Sequence, residues 1–86
     1  MPAKMNDNQE RTHLAQADRH IAQAKGYIAR QLLLIDGLAA AGQSTNDAWS
    51  ALAVFEGTLR AFERHRAMIL GTLGVREAAQ GLRRAP

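Results

Sequence analysis

Apolar residues recur along this chain at a spacing of seven, in two runs separated by a short polar break. Leu14, Ile21, Ile28 and Ile35 form the first run, with Ala17, Ala24, Gln31 and Leu38 at the companion position three residues on. Leu52, Leu59 and Leu73 form the second, with Arg66 where the remaining apolar member should stand; Ala48, Phe55, Phe62 and Ile69 accompany them. A period of seven places each set on one stripe of an α-helix. The break is Gly42-Gln43-Ser44-Thr45-Asn46-Asp47. Gly42 stands where a helix closes through a left-handed residue. Ser44 or Thr45 is a capping residue for a second helix, and Asp47 suits the positive end of its dipole.

The pattern predicts an all-α chain: a helix over about residues 8–41, a turn at 42–45 and a helix over about 45–73. Asp7 or Asn8 can cap the first helix. Residues 1–8 are expected to form a flexible leader. Residues 75–86 are expected to form a loose basic tail, after Gly71 and Gly74 weaken the second helix. A turn this short forces the helices antiparallel, which sets Ile35 against Leu52, Ile28 against Leu59, Ile21 against Arg66 and Leu14 against Leu73. Three of these four layers are apolar on both sides. Arg66 admits two readings: its stem covers Ile21 while the guanidinium reaches water, or it pairs with Asp18 or Glu63 and fixes the register.

Two helices alone make a small core, and 86 residues are marginal without further burial. Leu32, Leu33 and Leu34 leave the first helix apolar around much of its circumference near the turn. Ala51, Val54, Ala61 and Met68 form a second stripe on the other helix, and Trp49 adds a large apolar surface. A monomer leaves these groups wet, and exposed patches of this kind mark interaction surfaces. The expectation is an antiparallel two-helix hairpin that dimerises into a four-helix bundle, with a helical protein partner as the other possible occupant of the same surface.

Composition narrows the function. No cysteine is present, so neither disulfides nor thiolate metal sites hold the fold. The apolar runs, Leu32-Leu33-Leu34-Ile35 among them, fall far short of the ~20 residues that span a bilayer. Met1 to Glu10 is polar and lacks signal-peptide character, so the expected location is the cytoplasm. The pI of 10.2 accompanies a net charge of only +3, because eleven Lys and Arg face eight Asp and Glu. The densest basic cluster, Arg76, Arg83 and Arg84, is offset by Glu77. With Arg60 and Arg64 it gives the alternative reading, a weak nucleic-acid or anionic-surface binder, against which the interleaved acids argue.

Candidate chemical residues are sparse. His13 and His20 are separated by two helical turns, ~10 Å along the axis, too far to share one metal ion directly. His65 can approach His20 across the hairpin, with Asp18 or Glu63 as completing ligands, but no His-x-x-x-His or Glu-x-x-His pair supports such a site. Ser44, Thr45 and Ser50 are accounted for by the turn, and Gly71-Thr72-Leu73-Gly74 lacks the strand and lysine of a phosphate loop. A non-enzymatic interaction module without metal or cofactor is expected: a homodimeric adaptor or small regulator.

The segment His13-Leu14-Ala15-Gln16-Ala17-Asp18-Arg19-His20-Ile21-Ala22, followed by Ile28-Ala29-Arg30-Gln31, resembles the first helix of small helical-hairpin proteins of rhizobia and other alphaproteobacteria. Gly42 with Thr45, Ala53-Val54-Phe55-Glu56, and His65-Arg66 before Ile69-Leu70 extend the resemblance over about residues 12–73. Ala24-Lys25-Gly26 and Ala40-Ala41 depart from it in carrying less charge, which leaves a more apolar surface near the turn. The resemblance implies a hairpin fold and a bacterial source. It carries over no activity and no catalytic residue.

Overall fold

The computed structural model describes the backbone of residues 2–84 and the side chains of residues 8–75, 77, 78 and 81. Two helices of 39 residues each, α1 (Pro2–Ala40) and α2 (Asn46–Arg84), pack side by side as an antiparallel hairpin, and no strand occurs among the described residues. Both helices run further than the hydrophobic pattern suggests. Residues 2–7 are helical rather than a loose leader, because Pro2 occupies the first helical position, where its missing N–H costs nothing. Helix α2 continues through residues 75–84 rather than ending near Leu73. Beyond Gly74 the run Val75-Arg76-Glu77-Ala78-Ala79-Gln80 contains no breaker, and two isolated glycines cost only ~1 kcal/mol each relative to alanine.

The turn closes as the sequence anticipates. Gly42 has φ +69°. Its N–H donates to the carbonyl of Ala39 at 3.0 Å, while the Gln43 N–H reaches back to the Leu38 carbonyl at 2.9 Å. That pair of bonds satisfies two helix-terminal carbonyls at once, the Schellman arrangement. On the far side, the Thr45 carbonyl accepts the Trp49 N–H at 2.9 Å, making Thr45 the residue that opens α2. The Ser44 hydroxyl accepts a longer contact of 3.4 Å from the Asn46 N–H, and Asp47 lies in the first turn of α2.

The core is thin and divided. Near the turn, Ile35, Ala48 and Leu52 are buried, with Ile28 and Leu38 packed against them. Towards the other end, Ala17, Ile69 and Leu73 form a second cluster flanked by Leu14. The predicted Ile35–Leu52 and Leu14–Leu73 layers thus fall within single clusters. Gln31, a polar member of the companion stripe, crosses the seam and donates from Nε2 to the Ala48 carbonyl at 2.8 Å. The molecule is a rod of 70 × 19 × 14 Å with a radius of gyration of 19.6 Å. A compact chain of this length would have a radius near 12 Å, by size scaling.

Candidate functional site

The heptad pattern puts two rows of side chains beside the seam, one along each flank of the hairpin, and the flanks differ in chemistry. The first is ionic. Asp18 lies one position beyond the companion stripe on α1, and Arg66 Nε donates to its Oδ1 at 2.5 Å. Arg11 Nη2 pairs with Glu77 Oε1 at 3.2 Å on the same side. An open groove of about 370 Å³ runs beside the Arg66 pair, lined in part by Lys25, Glu63 and Leu70. Arg66 meets Asp18 rather than Glu63, and with its side chain 38% exposed and that of Asp18 54% exposed the pair is wet rather than interior. Ion pairs of this exposure contribute ~0.2–1 kcal/mol.

The second flank is aromatic. His20 packs against Phe62 as a tilted ring pair with centroids 5.1 Å apart, and one heptad nearer the turn Tyr27 stacks on Phe55 at 5.9 Å. The Arg30 guanidinium lies 5.5 Å from the Tyr27 ring centre. A groove of about 190 Å³ runs between these ring pairs and includes Thr58. Farther along, His13, His20 and His65 line a groove of about 280 Å³ with Gln16 and Ala17. All three histidines of the chain therefore fall on this flank. Asp18 and Glu63, considered as completing ligands for a metal, lie on the opposite flank. The reason is rotational: His20 sits two residues beyond Asp18 on α1, about 200° around the helix. Among the described residues no group of three or more His, Asp or Glu side chains is placed to hold a metal ion.

The apolar surface expected from sequence is exposed, but it does not form one patch. Leu33 projects from the back of α1 and is 71% exposed. Leu32 follows Lys25 by seven and Trp49 precedes Glu56 by seven, so both extend the ionic flank towards the turn. Leu34 follows Tyr27 by seven and extends the aromatic one. On α2, Ala51 is half-buried, whereas Val54, Ala61 and Met68 are exposed. Because α2 continues past Leu73, Val75 joins their stripe and shares an open groove with Met68, Gly71 and Thr72. The side chains of Arg76, Arg83 and Arg84, considered for anion contact, lie outside the described residues.

The aromatic pairing went unread in the sequence, although its signal was present. His20 and Tyr27, and likewise Phe55 and Phe62, are each seven apart. The two aromatic residues of α2 fit the core stripe and were assigned to it alone. Their half-buried state reflects a double role, closing the seam with one edge and carrying a ring partner on the other.

No helix among the described residues is long and apolar enough to cross a membrane. No protein-family model, curated protein or solved structure matches the chain.

Proposed function

We propose that this chain is a non-enzymatic helical interaction module whose working form is a homodimer, serving as an adaptor or small regulator. The observation that carries this reading is surface area. The hairpin exposes 6492 Å², whereas a compact monomer of its 9.4 kDa mass exposes about 5,000 Å². The excess of roughly 1,500 Å² exceeds the ~800 Å² that each partner buries in a standard protein interface. The area is apolar in large part, since Leu33, Val54, Met68 and Val75 are each at least 66% exposed. Enzymatic function would need a sheltered pocket, and the grooves present are shallow and open.

The test is molar mass by light scattering over a dilution series, with a thermal melt at each concentration. A homodimer weighs about 19 kDa, twice the chain mass, and its melting temperature falls on dilution because assembly contributes to stability. A monomer at every concentration, with a melt independent of concentration, refutes the reading.

A further inference from the structure

Resting on that reading, we propose that the aromatic flank, and not the ionic one, is the surface on which a second copy of this chain docks.

Charge separates the two candidates. Among the Lys, Arg, Asp and Glu residues between 11 and 72, only Arg30 and Asp47 fall on the stripes that make up the aromatic flank, and both lie towards the turn. Asp18, Lys25, Glu63 and Arg66 all line the ionic groove. Two copies meeting through the ionic flank must remove these charges from water. Two copies meeting through the aromatic flank bury rings, alanines, threonines, histidines and the uncharged Gln16 and Gln23, with Arg30 and Asp47 at the turn-side edge, at smaller desolvation cost.

The polar groups on the aromatic flank are prepared for burial. The Thr58 hydroxyl already donates to the Val54 carbonyl at 3.1 Å, and the Thr72 hydroxyl to the Met68 carbonyl at 3.1 Å. Each threonine therefore has its donor satisfied within α2. Beside them Val54, Ala61, Met68 and Val75 carry the apolar surface outwards along α2.

The size of the flank suits a second copy. It runs over about 22 residues of each helix, which at 1.5 Å per residue is about 33 Å. Across the 19 Å width of the rod that gives a projected footprint of roughly 600 Å², comparable with the ~800 Å² per partner of a standard interface once side-chain relief is included. A two-fold axis through its middle pairs the flank with itself and closes the assembly at two copies.

The experiment measures dimer dissociation by sedimentation equilibrium for the full chain and three variants, with helicity checked by circular dichroism. Thr58→Glu and Ala61→Glu place a carboxylate on the proposed face at exposed positions, and two variants guard against one failing to fold. Leu70→Glu places the same charge on the ionic flank. At pH 7.5, Thr58→Glu and Ala61→Glu should each weaken the dimer at least tenfold, with Leu70→Glu within about threefold of the parent. A dimer loosened by Leu70→Glu but kept by the other two overturns the assignment of the face and leaves self-association standing. A parent chain that stays monomeric refutes self-association itself.

Discussion

Replacing Arg66 by leucine tests how the hairpin treats a charged residue in its seam. The change removes the ion pair with Asp18, whose two side chains are 38% and 54% exposed, so the loss is ~0.2–1 kcal/mol. It also gives Ile21 an apolar partner in the layer that lacks one. Full burial of a leucine contributes ~1.5–3 kcal/mol. At a half-buried position, where the arginine stem already covers part of the seam, about 1 kcal/mol is the reasonable gain. The two effects nearly cancel, leaving a change between zero and about 1 kcal/mol in favour of the variant, a rise in melting temperature of at most ~5 °C for a domain of this size. If the pair instead locks the register, its loss leaves an uncompensated carboxylate and costs ~3–5 kcal/mol. The outcomes differ by several kcal/mol, well beyond the error of a thermal melt. The assay is a melt followed at 222 nm at one fixed protein concentration, with molar mass measured in parallel. A drop in stability above ~2 kcal/mol, or a changed molar mass, would refute the argument that this is a wet and dispensable pair. Asp18→Asn is the control and should lose no more than ~1 kcal/mol.

Other consequences can be checked in the same melts. Leu52→Ala removes a side chain that is 5% exposed from the turn-side cluster and should cost ~2–4 kcal/mol, the lower half of the range for such cavities. Gly42→Ala meets no neighbour within 4 Å of its new Cβ, so its cost of ~1–2 kcal/mol comes from the positive φ alone, and Gly42→Asn should recover part of it. Gly26→Ala also enters open space, but in a helix interior, and should stabilise by ~0.5–1 kcal/mol. Gln31→Ala deletes the interhelical bond to the Ala48 carbonyl and should cost ~0.5–1.5 kcal/mol.

The hairpin was legible because its information is periodic and local. The spacing of Leu14, Ile28, Ile35, Leu52 and Leu73 states which faces meet, and Gly42 states where the chain reverses. The helix ends were not legible, because Pro2 and Gly74 are weak punctuation: one is tolerated at a first turn, the other costs less than the run of helix formers after it recovers. The division of the exposed surface between two flanks was missed for a geometric reason. Consecutive residues Leu32, Leu33 and Leu34 read as one patch along the chain, but steps of 100° per residue spread them over more than half the circumference of α1. For Arg66 the sequence leaves Asp18 and Glu63 both open as partners, and the contact made is to Asp18.

Because the reversal between the two helices lies between Ala40 and Asn46, the seam has an intrinsic order of assembly. Leu38 and Ala48 are ten residues apart, whereas Leu14 and Leu73 are separated by 59. Closing the near pair first shortens every later loop, so the entropic cost of each further layer is taken in small steps. Folding is expected to proceed as zipping from Gly42 outwards, at the speed of a low-contact-order helical protein. In chevron experiments, destabilising changes at Ile35 or Leu52 should then slow folding, while those at Leu14 or Leu73 should mainly accelerate unfolding. The reverse pattern would mean that the far cluster nucleates. On this account the Asp18–Arg66 pair closes before the Leu14–Leu73 layer, while Arg11–Glu77 is made after it and released before it.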